Sequence, residues 1–311
     1  MRRDDPTTAS EPPSDRVYDG VGVIARGWLH SNTVVLPGPA PAIIDTGYVT
    51  GVEELIDRVE ALGGFPIASL ATVLLTHVHS DHAGGCAELQ RRAPARTWAH
   101  PDCAALVRDW DPRRLWLEGM GQRMPRFRID DALTPGERVT AGGIEWELID
   151  APGHAVGGLC FYARARKLLI SGDALWRDGF GILNIPLEGP ETIALTRRTL
   201  DVLSTLDVEL VIPGHGRPFR DFQAAIARAR RRLADYVEAP EQTARRNLRA
   251  SLAFWLLANP GVPRAALERL LRDAPFPAGP VAPLIAALTS SGVLVERDDR
   301  VYPGARLRRL D

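Results

Sequence analysis

Cysteine is scarce. The 311-residue chain has three, Cys86, Cys103 and Cys160, too few and too scattered for a disulfide framework. A reducing cytoplasm is the expected setting, with all three as small buried hydrophobes. Long hydrophobic runs are missing too. No apolar stretch approaches the roughly 20 residues that cross a bilayer, which argues against a membrane span. Lysine is represented by Lys167 alone, so nearly all positive charge is arginine, a coding bias rather than chemistry. Residues 1–16 are polar, with Pro6, Pro12 and Pro13; they lack the apolar centre of a secretion signal and read as a disordered tail. No strong charge of one sign dominates: the net charge is −1, with 45% hydrophobic and 25% charged residues, as in an ordinary soluble globular protein. The charge is uneven, however. Residues 1–220 sum to −6 and residues 221–311 to +5, which leaves room for a polyanionic partner of the C-terminal part but does not require one.

Against this plain background, residues 76–82 read Thr-His-Val-His-Ser-Asp-His, three imidazoles and a carboxylate in a chain with only seven histidines. Packing does not explain such a density. A short turn feeding ligands to two adjacent metal ions does. His77 and His79 are two apart just past an apolar run at residues 71–75, so an extended backbone sends both side chains to one face. Asp81 and His82 follow Ser80 and turn toward a second ion. Downstream, Pro152-Gly153-His154, Ser171-Gly172-Asp173 and Pro213-Gly214-His215 each place one further donor in a turn beside a strand end. His30 and His100 stand apart and read as satisfied polar side chains. Ser80 has no distinct base and reads as a helix-start hydrogen bond.

The pattern around these motifs alternates between strands and helices. Residues 17–45 are strand-like, with a hairpin formed by 33–36 and 42–45. Residues 51–62 and 83–92 have helical spacing. Residues 110–129 carry Trp110, Trp116, Met120, Met124 and Phe127 and read as a packed helical pair, with a lid over a substrate pocket as the competing reading. Strands follow at 145–149, 159–163, 168–171 and 208–212, with helices at 191–206 and 222–237. Beyond residue 240 come helices at 243–258, 263–272 and 282–290 and a hairpin at 293–302, the winged-helix order. The expected division is a catalytic domain at 17–240 and a winged-helix-like domain at 241–311.

The ordered set His77, His79, Asp81, His82, His154, Asp173 and His215, preceded by Asp45-Thr46-Gly47, resembles the metallo-β-lactamase fold superfamily. The resemblance covers about residues 17–220. It implies an α/β protein, a four-layer α/β/β/α sandwich with metals at one edge. It assigns His77, His79 and His154 to one ion and Asp81, His82 and His215 to the other, with Asp173 bridging. The tail resembles the winged-helix appendage of β-lactamase-like protein 2 and related hydrolases. The metal motif is also similar to that of glyoxalase II, whose helical glutathione-binding domain is not recognisable here.

Imidazole and carboxylate donors without thiolate suit two divalent cations, zinc first, with iron or manganese as alternatives. Two cations sharing a water lower its pKa enough for a bridging hydroxide to attack a carbonyl carbon or a phosphorus atom. Asp81 could also orient that hydroxide or accept its proton. Asp45 and Thr46 are placed to hold imidazoles in the right tautomer, and Trp176 and Phe180 to line the pocket. The first reading is a dinuclear metal-dependent hydrolase of a small acyl substrate: a thioester, ester or lactone. The alternatives are a metal-dependent endoribonuclease, suggested by the arginines at 228–232, and a mononuclear iron persulfide dioxygenase. Against nucleic acid, the expected recognition helix at 282–290 has no lysine or arginine. A homo-oligomer is compatible with the sequence.

Overall fold

The computed structural model describes residues 15–118, 121–273 and 280–308. Of the expected tail, residues 1–14 lie outside the described residues, as does Met120. The first strand already begins inside the expected tail: β1 is Arg16–Tyr18, and Asp15 accepts a hydrogen bond from Arg58 Nε at 3.0 Å.

Two sheets face each other. The first has seven strands in chain order: β1, β2 (Val21–Ile24), β3 (Thr33–Leu36), β4 (Ala42–Ile44), β5 (Thr72–Leu74), β6 (Arg96–Ala99) and β7 (Asp131–Ala132). Its first four strands pair antiparallel, whereas β4 to β7 run parallel. The second sheet has five strands: β8 (Arg138–Ala141), β9 (Ile144–Asp150), β10 (Leu159–Ala163), β11 (Leu168–Gly172) and β12 (Leu210–Pro213).

Side-chain alternation decides the layering. Adjacent residues of a strand point to opposite faces, and both faces of these strands are apolar, the pattern of sheets covered on each side. Val34, Ile44 and Leu74 from the first sheet meet Trp146, Leu148, Phe161, Ile170 and Ile212 from the second between the sheets. Their neighbours Val35, Ile43 and Val73 face outward onto Leu55 and Val59 of α1 (Val52–Gly63), and onto α3 (Cys86–Arg92) and α4 (Pro101–Asp109) through Leu89 and Leu106. On the far side Cys160, Tyr162, Leu169 and Val211 meet α6 (Glu191–Ser204) and α7 (Phe222–Glu238). The order is helices, sheet, sheet, helices. The short helices α2 (Ser80–Ala83) and α5 (Ile185–Glu188) sit in the loops at one edge. Helix α1 shows how the local code works. Glu53 and Glu54 occupy its first turn, where the dipole favours anions. Gly64 ends it at φ +67°, its N–H reaching Glu60 O, as a left-handed cap requires.

All three cysteines are free and buried, and burial pushes each thiol up to about 12.

The helical pair expected at 110–129 does not form. Helix α4 stops at Asp109, Trp110 takes φ +51°, and the described residues from 111 to 130 are turns and irregular chain. Pro112 and Pro125 each remove a backbone donor, and two glycines lie between them. The apolar residues still serve a core: Leu115 and Met124 are buried in the first helical layer, where Trp110 and Phe127 pack edge to face.

After α7 the chain forms α8 (Pro240–Ala258), β13 (Val262–Pro263), α9 (Arg264–Asp273), α10 (Val281–Ser290), β14 (Leu294–Arg297), β15 (Arg300–Pro303) and α11 (Ala305–Arg308). The three strands make an antiparallel sheet in the order β13-β15-β14. The core of this part includes Leu29, Tyr48 and Trp116 from the loops of the larger part. Tyr48 packs edge to face on Phe254 of α8 at 5.4 Å. Helix α8 is therefore seated directly over the loops that carry the histidines. No helix among the described residues is long and apolar enough to cross a membrane.

Candidate metal centre and its cavity

Strand direction gathers the donors. Strands β9 and β11 are both antiparallel to β10, and β12 is parallel to β11, so β9, β11 and β12 end at the same edge. His154, Asp173 and His215 lie just past those ends. His77 follows β5, and His79 caps α2 with an extended backbone, φ −66° and ψ 153°. The single turn of α2 then swings Asp81 and His82 inward. All seven donors converge in three overlapping groups, His77–His79–His154, His77–His82–Asp173 and Asp81–His82–His215, each with its ligand atoms within 4.8 Å of one another. Asp173 lies between the outer two: its Oδ2 is 3.4 Å from His154 Nε2, and its Oδ1 is 3.4 Å from His82 Nε2 and 3.9 Å from His215 Nε2.

The surroundings orient the rings. His154 Nδ1 donates to Ile182 O at 2.7 Å, His82 Nδ1 lies 2.8 Å from Asp45 Oδ2, and His77 Nδ1 lies 3.1 Å from Thr76 Oγ1. Each contact leaves Nε2 for the centre, as a metal ligand needs. His77 Nε2 and His82 Nε2 are buried without any hydrogen-bond partner, as is His215 Nδ1. Orphaned buried nitrogens are costly, and a cation in the centre would satisfy the two Nε2 atoms. The donor set thus fits divalent metal.

Glycines clear the space. A Cβ on Gly214 would lie 2.2 Å from Asp173 Oδ1 and 2.8 Å from His82 Cε1, and one on Gly181 would lie 2.4 Å from His154 Nδ1.

Crowding shows in the electrostatics. Burial, then the neighbouring imidazoles, holds His77 and His79 well below the ordinary histidine range. Burial also works against charge on His82, yet Asp45 and Asp173 outweigh it and raise this ring well above that range. Burial opposes the Asp81 carboxylate, but His215, hydrogen-bonded to it at 3.1 Å, and His82 lower it to about 2.

Asp45 and Thr46 act differently from each other. Asp45 accepts from Thr76 N at 2.8 Å and from Thr76 Oγ1 at 2.7 Å besides facing His82. It does so at φ +61°, a conformation that aspartate tolerates better than most residues. Thr46 holds no imidazole. Its N–H and Oγ1 both donate to His82 O, at 2.6 and 2.9 Å, which fixes the turn of α2. Ser80 makes no cap; its Oγ donates to Gln122 Oε1 at 2.5 Å.

The centre opens into a cavity of about 260 Å³ walled by Trp28, Trp116, Trp176, Ile182 and Phe254. Trp116, at φ +59°, lies tilted by 32° over His79 with ring centroids 4.1 Å apart and donates from Nε1 to Glu188 Oε1 at 3.0 Å. The strained backbone turns this ring onto the site. Trp176 Nε1 donates to Asp173 Oδ1 at 3.0 Å. Phe180 is different: it is 1% exposed, stacks on Tyr236 and does not line the cavity. The β11–α5 loop turns it down into the far helical layer. His30 and His100 are satisfied by backbone, accepting from Tyr48 N and Asp102 N.

Further contributors are not assigned to the site from sequence. Asn32 Nδ2 donates to Pro213 O and Gly216 O at 2.9 and 2.7 Å, bracketing His215. Arg26, pulled down to about 10 by burial, donates to Gly51 O and Thr46 O. A Cβ on Gly47, at φ +71°, would lie 1.9 Å from an Arg26 nitrogen. Arg232 and Arg246 reach the cavity from α7 and α8. Of the other arginines in the 228–232 run, Arg228 pairs with Asp221 and Asp178, and Arg230 with Asp201.

The family model for the metallo-beta-lactamase superfamily matches residues 26–215, and the chain belongs to that superfamily. Among curated relatives it is 30% identical over 184 residues to hydroxyacylglutathione hydrolase GloC of Haemophilus influenzae, covering 56% of this chain and 79% of that one. It is 28% identical over 230 residues to the human acyl-coenzyme A thioesterase MBLAC2, covering 66% and 77%. Among solved structures, a metallo-beta-lactamase family protein of Thermus thermophilus aligns with a TM-score of 0.55 at 20% identity, over 94% of this chain and 97% of that chain. The two curated relatives lie in the branch that the motifs suggest, and the solved structure shares the fold.

Proposed function

We propose that the protein is a dinuclear metal-dependent hydrolase of a small acyl substrate, with a thioester ahead of an ester or lactone. One observation carries this reading: the triads His77–His79–His154 and Asp81–His82–His215 converge with Asp173, 3.4 Å from both His154 and His82, at the floor of a cavity walled by tryptophans. The names of the two curated relatives, a hydroxyacylglutathione hydrolase and an acyl-coenzyme A thioesterase, support it.

His77, His79 and His154 would hold one cation and Asp81, His82 and His215 the other, with Asp173 between them. Zinc suits this thiolate-free set, as do iron and manganese. When bound, such cations supply Lewis acidity and lower the pKa of water. The remaining work falls to the chain. Asp81 borders the cavity, where its carboxylate can orient the attacking water or accept its proton. Trp28, Trp116 and Trp176 exclude bulk water and seat an apolar acyl group. Asp45 and the Ile182 carbonyl keep His82 and His154 from turning.

We read residues 241–311 as a winged-helix-like appendage to a domain at 17–240, from the order α8-β13-α9-α10-β14-β15. Its role here is to roof the cavity with α8. A ribonuclease role has less support, because α10 has no basic residue and Arg228 and Arg230 are tied up in ion pairs.

The test is a parallel screen of thioesters, lactones and short RNAs with metal-quantified protein, beside His79→Ala. Thioester turnover that tracks metal content and is lost in a folded His79→Ala variant is expected. RNA cleavage without thioester turnover would overturn the assignment.

A further inference from the structure

The mechanism uses the floor of the cavity and leaves its other end unexplained. That end is built by α7 and α8. Arg246, Ala250, Ser251 and Phe254 recur along one face of α8, and Arg232 reaches in from α7. Among the described residues no hydrogen bond or ion pair engages Arg232. Its guanidinium carbon lies 5.9 Å over the Trp176 ring and 5.4 Å over Phe180. Ring faces attract a cation, but they accept none of its in-plane N–H bonds, and Arg232 Nε is buried without a partner. Arg246 is half used. One nitrogen donates to Asp235 Oδ2 at 3.1 Å, whereas Nε and Nη2 are buried and unsatisfied. Ser251 Oγ is a third orphan on the same wall.

Two guanidiniums that repel each other thus share a cavity wall with Asp235 as their one carboxylate contact among the described residues. Burial, and then Arg246 among its neighbours, pulls Arg232 below the usual arginine range. The cavity's own carboxylates are committed elsewhere: Asp81 to His215, and Asp173 to Trp176 and the histidines. Unpaired donors held out of water are costly unless something else meets them. Arginine's planar fork is matched by an oxyanion with two acceptor oxygens.

We propose that Arg232, Arg246 and Ser251 form an oxyanion-binding subsite that receives a carboxylate or phosphate of the substrate while its acyl carbonyl lies at the metal floor. The natural substrates are then anionic thioesters or esters, and the subsite discriminates against neutral ones. The catalytic half of this statement rests on the hydrolase reading above; the anion-binding half does not.

The experiment uses the zinc-loaded full chain with acetyl-coenzyme A, S-acetylglutathione and neutral S-acetyl-N-acetylcysteamine. Wild type is compared with Arg246→Gln and Arg232→Met. Arg249→Gln, which removes an exposed charge of α8, is the control for net charge. The ratio of kcat/KM for a charged over the neutral thioester should fall 10-fold or more in Arg246→Gln and Arg232→Met, through KM, and hold in Arg249→Gln. A fall for the coenzyme A ester alone identifies phosphate; a fall for the glutathione ester alone identifies carboxylate. Unchanged ratios in both folded variants overturn the subsite. If wild type hydrolyses no thioester, tryptophan fluorescence titrations with coenzyme A and S-methylglutathione separate the two ideas. Saturable quenching weakened 10-fold or more in Arg246→Gln upholds the subsite although the hydrolase reading fails. No quenching, or equal affinity in both proteins, overturns the subsite itself.

Discussion

Replacing Asp45 by Asn probes how the fold prepares the metal centre without touching a donor. The carboxylate is 2% exposed and accepts from Thr76 N, Thr76 Oγ1 and, across 2.8 Å, His82 Nδ1. Asparagine tolerates the φ of +61° found here, so the backbone should stay. One oxygen can still serve Thr76 N. The other becomes an amide that points hydrogens at two groups that were themselves donating. Losing charged hydrogen bonds of about 1.5–3 kcal/mol each, partly relieved by re-pairing, should cost about 2 kcal/mol of stability. The relief has a functional consequence. Once neutral, as a ligand must be, His82 can accept from the new amide only with its remaining proton on Nε2, the buried orphan that faces the centre. A protonated Nε2 cannot ligate. Metal affinity should therefore fall about 10- to 100-fold, the usual effect of removing a partner behind a ligand, and hydrolysis should fall with it. Competition against a chromophoric chelator measures the affinity, and circular dichroism checks the fold. A folded Asp45→Asn protein with wild-type metal affinity would refute the reasoning.

Gly214→Ala drives a methyl group to within 2.2 Å of Asp173 Oδ1; overpacking of about 1–3 kcal/mol should appear as a lowered melting temperature with at least 10-fold weaker metal binding, and unaltered metal binding would contradict the steric account. Burial, then Arg26, lowers His30 to about 3, so as pH falls below about 6.5 the unfolded chain takes up the proton first. Stability is complete above that value and declines by a few kcal/mol, about 1.4 per unit, toward the folded value. His30→Asn should flatten this part of the urea-midpoint profile between pH 7 and 4.5, and parallel profiles would count against it. Stripping metal with a chelator should abolish turnover and lower the melting temperature, by about 2.7 kcal/mol of lost stability when zinc had stood at 100 times its Kd; readdition should restore both, and full activity in metal-free protein would rule out a metal-dependent reaction.

The donors were legible because their chemistry is local. His77, His79, Asp81 and His82 fall in one turn, and the other three sit beside glycines at strand ends, so residue type and spacing alone marked the set. The strands at 145–149, 159–163 and 168–171 were equally plain, since apolar runs bounded by turns carry their own signal. The stretch at 110–129 misled, because helical spacing of aromatics outweighed the two prolines until packing decided the matter. Nothing in residue order distinguished Trp176, which borders the cavity, from Phe180, four positions on, which stacks on Tyr236 in the core. Nor did it single out Asn32, which holds the His215 loop from more than 180 residues away. Arg232 stood out only as one of the arginines at 228–232, and Arg246 did not stand out at all. Sequence by itself determined which side chains have the chemistry of metal donors and roughly where strands end. Only the tertiary structure decided which way β9, β11 and β12 run, what covers the centre and which arginines face it, because those depend on long-range contacts that no local spacing records.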